Sequence, residues 1–364
     1  FRKALSMGSA LPATPVATTL DDTAALQYTG GTTGVSKGAQ LLHRNLVANM
    51  LQVRASVQED LPGESEIVIA PLPLYHIYAF TLSLVMADCG HHLVLIPNPR
   101  DIPGFVKELA KHKFSSFAGL NTLFVALCNN PDFAKLDFSN LKQTLSGGMA
   151  LTHAAADRWQ SVTGCAIREG YGLTETSPVV TLNPHDDPRV GYIGKPILNT
   201  ELMVIDDNGQ PLPNGEEGEL CIRGPQVMAG YWNRPDATAE VMIDGWFKTG
   251  DVAIISDDGF VRLVDRIKDM IIVSGFNVYP NEIDDLASQH PDIVECAAVG
   301  VPHEESGETV KLFVVTSNPE LTAEDVTAYC REHMTAYKVP KLVEFRDELP
   351  KTNVGKILRR ALRD

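Results

Sequence analysis

The stretch from Tyr28 to Gly38 reads Tyr-Thr-Gly-Gly-Thr-Thr-Gly-Val-Ser-Lys-Gly and concentrates the features of a phosphate-binding loop. Its glycines permit backbone conformations with positive φ, so that amide N–H groups can converge on the oxygens of an anion. Its hydroxyl groups and Lys37 can add hydrogen bonds and a mobile positive charge. The candidate phosphate-binding residues are Tyr28, Thr29, Gly30, Gly31, Thr32, Thr33, Gly34 and Lys37.

The segments on either side of this loop fit the same interpretation. Ala24 to Gln27 is predicted to be a short buried strand, and His43 to Val57 is predicted to be a helix. The apolar positions that suggest the helix are Leu46, Val47, Met50 and Leu51. A strand, a glycine-rich loop and a helix, in this order, hold phosphates in many α/β folds.

The residue order of the loop differs from that of a Walker P-loop. Ser36-Lys37-Gly38 stands where such a loop requires Gly-Lys followed by Ser or Thr, which weakens a kinase or GTPase interpretation. A flexible surface loop rich in Gly and Thr is the alternative for this composition taken alone.

Length, charge and cysteine content limit the class of protein. The chain has 364 residues, enough for two or more domains. Its 31 basic and 46 acidic residues give a net charge of −15, which argues against nucleic acid as a partner. The six cysteines are too far apart for a CxxC pair and suit a reducing compartment.

The chain shows neither an apolar run of the roughly 20 residues that a membrane span requires nor a signal peptide. These features predict a cytoplasmic protein and leave peripheral contact with the inner face of the cell membrane open. Phe1 stands where an initiator methionine is expected, and the segment to Leu20 is predicted to be a loop-like lead-in. We therefore expect the chain to be the later part of a longer protein.

Between the glycine-rich loop and residue 181, short β-branched runs alternate with helix-length segments. The predicted strands are Ile67 to Ala70, Leu93 to Ile96, Phe114 to Ala118 and Ala166 to Arg168. The predicted helices are Ile77 to Ala87, Ile102 to Lys111, Asn121 to Asn129 and Thr152 to Thr163. This alternation predicts an α/β layer, in which helices cover a parallel sheet and the loops after the strands carry the chemistry.

From about Leu182 the pattern changes to short strands separated by turn signals such as Asp207-Asn208-Gly209. A small β-barrel-like subdomain is predicted for residues 182–267, with strands at Leu202 to Ile205, Glu219 to Arg223 and Phe260 to Val264. Beyond Lys268 the predicted helices are Pro280 to Gln289, Thr322 to His333 and Val354 to Leu362, around strands Val294 to Val299 and Val310 to Val315. Residues 268–364 suffice for a separate small α+β domain.

Glu169 to Glu175 reads Glu-Gly-Tyr-Gly-Leu-Thr-Glu and follows the predicted strand Ala166 to Arg168, where a site loop is expected. The Tyr171 ring could stack on a base, the Thr174 hydroxyl could bind phosphate, and the Glu175 carboxylate could hold Mg²⁺. A turn with a core tyrosine and a solvated glutamate explains the heptapeptide equally well when it is taken alone.

Three charged groups later in the chain are also candidates. Asp251 ends the segment Thr-Gly-Asp, and its carboxylate could accept from two ribose hydroxyls, although an ordinary turn aspartate is the alternative. Arg266 lies in Asp-Arg-Ile-Lys, which could equally be a surface ion-pair cluster. Lys356 lies in the basic segment Pro350 to Arg360, which alone fits a solvated helix face or the end of a helix.

Two further segments are candidates for contact with a ligand, at a part of it that lies away from the phosphate-binding loop. Leu72-Pro73-Leu74-Tyr75-His76 places an imidazole after a predicted strand, although a single histidine is more often structural. Ser146-Gly147-Gly148-Met149 has glycines that leave room beside a ligand.

Together these motifs resemble, in order and spacing, the adenylate-forming superfamily, which includes acyl-CoA synthetases, luciferases and adenylation domains of peptide synthetases. The resemblance covers nearly the whole chain, and it is greatest to bacterial long-chain fatty acid CoA ligases at Asn98 to Gly104, Gly275 to Glu282 and Lys338 to Phe345. It implies an α/β adenylate-forming fold, with part of a large AMP-binding domain over residues 1–267 and a mobile C-terminal domain over residues 268–364. It also implies that the family's N-terminal part is absent here.

The resemblance assigns roles to the candidate nucleotide-binding residues. The glycine-rich loop binds the phosphates of ATP, Tyr171 stacks on adenine, and Asp251 binds the ribose. Thr174 contacts phosphate and Glu175 holds Mg²⁺. The family's arginine that helps to hold the nucleotide matches Arg266.

Further roles concern catalysis, the acyl group and CoA. The family's catalytic lysine, in Pro-Lys-x-x-x-Gly-Lys, matches Lys356, and its hinge position matches Lys268. His76 becomes a candidate for positioning or gating of the substrate carboxylate. The family's acyl-pocket loop matches Gly147, Gly148 and Met149. The region expected to approach the CoA thiol contains Gly275, Phe276 and Asn277.

The implied reaction joins a long-chain fatty acid to CoA through an acyl-adenylate, with ATP and CoA as co-substrates and Mg²⁺ as cofactor. A medium-chain or aryl acid CoA ligase and an inactive nucleotide-binding fragment remain alternatives, and a homodimer stays open. The segment between Pro71 and Ala87 contains no acidic residue that could anchor a substrate amine, which disfavours an amino acid substrate.

Overall fold

The computed structural model describes residues 1–12, 14–29, 36–58, 60–63 and 65–363. Its strands are β1 (Thr23–Tyr28), β2 (Gly38–Leu42), β3 (Ile67–Ala70), β4 (His92–Leu95), β5 (Ser116–Gly119), β6 (Gln143–Ser146), β7 (Ile167–Gly172), β8 (Val179–Leu182), β9 (Lys195–Pro196), β10 (Glu201–Ile205), β11 (Glu217–Arg223), β12 (Gly230–Tyr231), β13 (Met242–Ile243), β14 (Trp246–Ile255), β15 (Val261–Arg266), β16 (Ile271–Val273), β17 (Phe276–Val278), β18 (Ile293–His303), β19 (Gly307–Thr316) and β20 (Leu342–Phe345). Its helices are α1 (Arg2–Gly8), α2 (His43–Val57), α3 (Ile77–Asp88), α4 (Ile102–Leu109), α5 (Asn121–Cys128), α6 (His153–Thr163), α7 (Pro235–Val241), α8 (Pro280–Ser288), α9 (Ala323–His333) and α10 (Arg360–Arg363).

The predicted α/β layer is confirmed. Seven strands form one sheet in the order β4-β3-β5-β6-β7-β8-β9, parallel from β4 to β7 and antiparallel beyond. Successive residues of a strand point to opposite faces. Phe117 of β5 therefore belongs to the core under α4, α5 and α6, whereas its neighbour Ala118 belongs to the core under α2 and α3.

Aromatic side chains fill the core beneath α4, α5 and α6. None of these side chains is more than 2% exposed: Phe105, Phe117, Phe124, Phe133 and Trp159. The Trp159 ring lies 4.8 Å from that of Phe124 and 5.1 Å from that of Phe117, centroid to centroid. Each such buried side chain contributes about 1.5–3 kcal/mol to folding. This aromatic core therefore stabilises the sheet whose strands carry the site loops at their carboxyl ends.

Helix α2 has its predicted bounds, but its buried face is more polar than predicted. Leu46 is buried, whereas Val47 and Leu51 are 40% and 49% exposed. Three buried amides occupy the inner face and donate to main-chain oxygens of other segments: Asn45 to Pro225 and Val227, Asn49 to Val179, and Gln52 to Leu198. Buried polar groups are stable when they are hydrogen-bonded, and apolar spacing cannot reveal such partners.

The surroundings of the glycine-rich loop also differ from the prediction. Strand β1 covers the predicted segment, but none of its residues is buried. Strand β2, which was not predicted, follows the loop and pairs antiparallel with β1, and β12 completes this sheet. The loop therefore joins two strands of a hairpin instead of a strand and a helix. Gly30 to Gly34, at its centre, lie outside the described residues.

The β-rich part contains a second antiparallel sheet. Its order is β10-β11-β14, and β13 and β15 both pair with the far edge of β14. The predicted turns are present, with positive φ at Gly209, Gly215, Gly245 and Gly259. Over residues 201–266 the sheet stays open, because no pairing joins β10 to β13 or β15.

Residues beyond the short turn Ile267–Asp269 form a small α+β unit with its own core. Its sheet has the order β17-β16-β19-β18, and β20 pairs with β19 in parallel. Helices α8 and α9 pack on this sheet through Ile283 and Val326, both fully buried. The predicted domain boundary, between residues 267 and 268, falls within this turn and stays a prediction.

Two predictions at the chain ends are wrong. The segment to Leu20 contains the short helix α1, which buries no side chain. The predicted helix Val354 to Leu362 is mostly a turn, and α10 covers only Arg360–Arg363. Gly355 has a φ of +86°, which a right-handed helix cannot contain, and Lys351 pairs with Ile357 in an isolated antiparallel bridge.

Within the described parts of the chain, no helix is long and apolar enough to cross a membrane. All six cysteines are described, and none of them forms a disulfide.

Candidate active site

A cleft of about 2550 Å³ lies at the carboxyl edge of the parallel sheet and extends between the large and small domains. Residues from both domains line it, including those of the Glu169 to Glu175 motif. Most of that motif is part of strand β7 instead of the predicted loop, because β7 continues to Gly172 and pairs antiparallel with β8. The strand holds Tyr171 rigidly, and Thr174 and Glu175 follow in a single turn.

Tyr171, Asp251 and Arg266 meet in this cleft. Residues 251 and 266 are directly opposite on β14 and β15, so their side chains lie side by side. The Tyr171 hydroxyl donates to Asp251 Oδ2 at 2.5 Å, and Arg266 Nε lies 3.3 Å from Asp251 Oδ1. Burial raises the pKa of the Asp251 carboxyl, and the charge of Arg266 opposes this effect. Three residues that are far apart in sequence therefore form one polar cluster.

Glu175 and Lys37 share a partner that sequence analysis missed. The Tyr231 hydroxyl donates to Glu175 Oε1 at 2.7 Å, and Lys37 Nζ lies 4.9 Å from the centre of the Tyr231 ring. Tyr231 therefore bridges the acidic and basic groups expected to handle phosphate. No local motif marked Tyr231, because its contacts with Glu175 and Lys37 depend on how segments that are distant in sequence pack together.

Tyr28 and Thr29 also line the cleft, and the Thr29 N–H donates to the Lys37 carbonyl at 2.9 Å, which closes the base of the glycine-rich loop. Of the predicted phosphate-binding residues, Gly30, Gly31, Thr32, Thr33 and Gly34 lie outside the described part of the chain.

Lys356 enters the cleft from the small domain. Its Cε lies 3.2 Å, and its Nζ 3.5 Å, from the position that a β-carbon on Gly148 would occupy. Gly148 also has a φ of +84°, so both its backbone and its lack of a side chain suit this approach. Burial and the nearby charge of Arg266 lower the pKa of Lys356 to about 8. A half-buried amine is thus held close to the charge of Arg266.

His76 faces the same region and is uncharged near neutral pH. It caps helix α3, where its Nδ1 accepts from the Tyr78 N–H at 3.3 Å. Burial and the charge of Lys356 lower the pKa of the imidazole to about 4. The histidine therefore has both a structural role as a cap and a place in the cleft.

An apolar lobe of the cleft runs between helices α2 and α3 and the sheet. Gly147 faces the Tyr78 ring, and Met149 packs against the aromatic core and lines the cleft. The other apolar lining residues of this lobe are Val53, Val57, Leu82, Leu145 and Leu182. Such a lobe suits an aliphatic or aromatic group.

The residues predicted to approach CoA are not in the cleft. Gly275, Phe276 and Asn277 form the tip and start of β17, and the Phe276 ring is 55% exposed and stacks on Tyr337 at 4.8 Å. Lys268, the predicted hinge, lies in the turn between the domains and lines the cleft. Burial and the charge of Arg266 lower its pKa.

Glu169 is a further residue without an assigned role. It lines the cleft but is only 5% exposed, and its Oε2 has no hydrogen-bond partner among the described residues. Its Oε1 accepts from the Leu151 N–H at 3.3 Å. Burial raises the pKa of this carboxyl to about 8.

The fold and the cleft define a class of α/β proteins in which a small C-terminal domain contributes a lysine to a cleft at the carboxyl edge of the sheet. Comparison with known proteins gives the same class. The family model for AMP-binding enzymes matches residues 2–232, and that for the AMP-binding enzyme C-terminal domain matches residues 282–356. The chain belongs to the AMP-binding enzyme family.

Individual relatives cover the chain almost completely. A long-chain-fatty-acid–CoA ligase of Salmonella typhimurium is 55% identical over 366 residues, which include 100% of this chain and 65% of that protein. The chain thus spans slightly less than two thirds of the length of this relative. The crystal structure of ATP-bound MatB from Rhodopseudomonas palustris superposes with a TM-score of 0.88 at 33% identity, over 96% of this chain and 69% of that one.

A second similar structure is that of the anthranilate CoA ligase AuaEII in complex with anthranoyl-AMP. It superposes with a TM-score of 0.87 at 30% identity, over 94% of this chain and 67% of that one.

Proposed function

We propose that this chain carries the catalytic part of an ATP-dependent long-chain fatty acid–CoA ligase that works through an acyl-adenylate. The single observation that carries the proposal is the position of Lys356, which reaches from the small domain into the cleft that contains Tyr171, Asp251 and Arg266. Identity to a long-chain-fatty-acid–CoA ligase over the whole chain supports the choice of substrates.

In the first half-reaction, a carboxylate oxygen of the fatty acid attacks the α-phosphorus of ATP. The bond from that phosphorus to the bridging oxygen breaks, and pyrophosphate leaves with the electron pair. Attack by an anion on a polyphosphate needs neutralisation of negative charge more than it needs a general base. Lys356 supplies positive charge near the reacting atoms, and Lys37 and the amides of the glycine-rich loop hold the departing phosphates.

The remaining cleft residues bind and orient the nucleotide. Asp251 accepts from the ribose hydroxyls and Tyr171 stacks on adenine, while Arg266 holds Asp251 in place. His76, neutral near pH 7, donates or accepts a hydrogen bond at the carboxylate end of the acyl pocket.

Glu175 is the residue that fits a magnesium ion. Among the described residues no group of three or more His, Cys, Asp or Glu side chains could hold a metal. Mg²⁺, however, commonly takes only one or two carboxylates and completes its shell with water and substrate phosphates. Glu175 lines the cleft beside Tyr231 and Lys37 of the glycine-rich loop, and its one carboxylate is enough for that pattern. The ion, when bound, neutralises phosphate charge, and Tyr231 orients the carboxylate.

In the second half-reaction, the sulfur of CoA attacks the acyl carbon. The bond from that carbon to the phosphate oxygen of AMP breaks, AMP leaves, and the thiol proton passes to solvent. Gly275, Phe276 and Asn277 lie outside the cleft in the present arrangement. For this region to meet the thiol, the small domain must swing about Lys268, which also withdraws Lys356.

The test is pyrophosphate release with ATP, Mg²⁺ and fatty acids of increasing chain length, with and without CoA. The wild-type chain is compared with Lys356→Ala and with Lys351→Ala as a matched control. Lys351 lies in the same segment but pairs with Glu295 of its own domain at 2.8 Å. We expect fatty-acid-dependent release that falls by roughly 10²-fold or more in K356A, the usual effect of losing one charge-stabilising group, and little change in K351A.

Chain-length dependence of this release identifies the substrate, and a preference for short or aromatic acids would replace the long-chain assignment. ATP binding without any release would contradict the proposed catalysis and favour a nucleotide-binding role. Equal loss in the two lysine variants would contradict the role of Lys356.

A further inference from the structure

Lys356 ends a compact turn that is closed by its own hydrogen bonds. The Thr352 N–H donates to the Lys356 carbonyl at 2.8 Å, and the Gly355 N–H donates to the Thr352 carbonyl at 2.9 Å. The Lys356 N–H donates to the Thr352 hydroxyl at 3.2 Å. We call residues 352–356 the lysine turn. Because its backbone is closed internally, it can be expected to move as one piece.

Two groups of the large domain hold the lysine turn from outside. The Thr122 hydroxyl donates to the Gly355 carbonyl at 3.0 Å, immediately before Lys356. Arg100 Nη2 donates to the Thr352 carbonyl at 3.2 Å. The two carbonyls that accept these bonds are at opposite ends of the turn, so the two contacts limit both its position and its orientation.

The parallel sheet determines where these two donors lie. Thr122 is in the first turn of α5, directly after β5, and Arg100 follows β4 and precedes α4. Both are therefore at the carboxyl edge of the sheet, beside the cleft. A β-carbon on Gly355 would lie 3.7 Å from both the Thr122 hydroxyl and Leu120 Cδ1, so the turn is also in close contact with this edge.

We propose that Thr122, assisted by Arg100, is a positioning residue that sets Lys356 for the first half-reaction and has no part in the second. This inference rests on the proposed function. Both side chains donate to main-chain carbonyls of the turn that carries Lys356. Holding the main chain of the turn fixes the point from which the Lys356 side chain extends, so that fewer positions of its ammonium group are accessible. The contacts must break when the small domain swings, which requires them to be few and individually weak.

The hydrogen bonds from Thr122 and Arg100 are expected to contribute differently to the docking of the lysine turn. Thr122 is half-buried, whereas Arg100 is exposed. A hydrogen bond from an exposed guanidinium competes with water and contributes less to docking than a shielded one. Thr122 is thus the more important of the two, and its isosteric replacement by valine removes the donor with little change in shape.

The experiment uses the whole chain with Thr122→Val, Thr122→Ser and Arg100→Ala, and Thr163→Val as the matched control. The Thr163 hydroxyl donates to the Trp159 carbonyl at 2.9 Å within α6, so T163V removes a comparable bond that does not cross between domains. Three quantities are measured. They are pyrophosphate release with ATP and palmitate, consumption of preformed palmitoyl-adenylate with CoA, and deuterium uptake by the peptide 351–357 without substrate.

We expect T122V to lower pyrophosphate release by about five-fold or more, the factor that corresponds to one net hydrogen bond. Its consumption of palmitoyl-adenylate should equal that of wild type, and deuterium uptake in the lysine turn should rise. T122S should restore all three values, R100A should show a smaller change in the same direction, and T163V should leave the ratio of the two half-reactions unchanged.

Equal loss of both half-reactions in T122V, or the same pattern in T163V, would overturn the proposal, because either result indicates a general effect on folding. If the wild-type chain performs neither half-reaction, the proposed function fails, and the deuterium uptake alone decides the role of Thr122. If deuterium uptake by the peptide 351–357 is the same in T122V as in T163V, the proposed role of Thr122 is overturned. A rise in uptake that is confined to T122V and R100A would support the role of Thr122 in holding the lysine turn.

Discussion

At the scale of single residues, the cleft is lined by ionisable groups whose pKa values differ from those in water. The pKa of Lys356 is lowered to about 8 and that of His76 to about 4, whereas that of Glu169 is raised to about 8. In each case burial is the largest cause, because the charged form loses hydration. Shifts in both directions within one cleft are typical of a functional site.

Glu169 gives a prediction for the pH dependence of stability. Its pKa in the folded protein, about 8, lies above its ordinary value of 4.5. At pH values between these two, folding is therefore accompanied by the uptake of a proton by the Glu169 carboxylate. The stability that this group contributes is fully present below pH 4.5 and is lost as the pH rises through about 8. Glu169→Gln is always neutral. We therefore expect its free energy of unfolding to decline less than that of wild type over this range, by up to about 1.4 kcal/mol per pH unit.

The measurement is urea unfolding at a series of pH values. Glu216→Gln is the control, because Glu216 is an exposed residue of the same domain. It should follow the wild-type curve. Parallel pH dependence in E169Q and wild type would contradict a neutral Glu169 in the folded protein.

At the scale of elements, Gly194 and Gly209 both have positive φ, but they differ in whether the surrounding structure leaves space for a side chain. Gly194 has a φ of +89°, and a β-carbon there would lie 2.0 Å from the Leu182 carbonyl carbon and 2.2 Å from the Asn183 nitrogen. Gly209 has a φ of +77° with no atom within 4 Å of that position. The first position requires glycine for both conformation and space, the second for conformation alone.

This contrast predicts different costs for the same substitution. Gly209→Ala should lower the free energy of unfolding by about 1 kcal/mol, because alanine is strained at positive φ. Gly194→Ala should cost roughly 3 kcal/mol more, because the strands next to it must separate. Urea unfolding midpoints of the two variants test this directly, and similar midpoints would show that the backbone around Gly194 adapts.

At the scale of the whole molecule, several contacts dock the small domain onto the large one. Asp285 of α8 accepts from the His153 N–H at 2.9 Å, and its other oxygen lies 2.9 Å from His153 Nδ1. Asp265 accepts from the Asn281 N–H at 2.8 Å. These polar contacts differ from the apolar core within each domain, and polar interfaces between domains usually permit relative motion.

Loss of one such contact should favour the arrangement in which the small domain is undocked from the large domain, and neither domain should unfold. We expect Asp285→Ala to make the turn Ile267–Asp269 about two- to five-fold more sensitive to limited proteolysis, which is the effect of losing a partly exposed hydrogen-bonded contact. Glu324→Ala is the matched control, because Glu324 is an exposed acidic residue of the same small domain. Equal cleavage rates in D285A, E324A and wild type would argue that His153 and Asp285 contribute nothing to docking.

The sequence by itself determined the alternation of strands and helices in the parallel layer, the turns of the β-rich part, and the identity of most candidate residues. These features depend on local periodicity and on residue types with special backbone preferences. Helix α2 shows the limit of such reasoning, because its length followed from apolar spacing but its buried face did not. Asn45, Asn49 and Gln52 are buried through partners that lie more than a hundred residues away.

Only the tertiary structure decided how the site is assembled. The segment after Val354 has the composition of a helix, yet Gly355 at positive φ and the contact with Thr122 make it a turn that presents Lys356. The partnership of Tyr231 with Glu175 likewise joins strand β12 to the turn after β7, 56 residues earlier in the sequence. Such contacts depend on how distant segments pack, and no local pattern of residues encodes the distance between them.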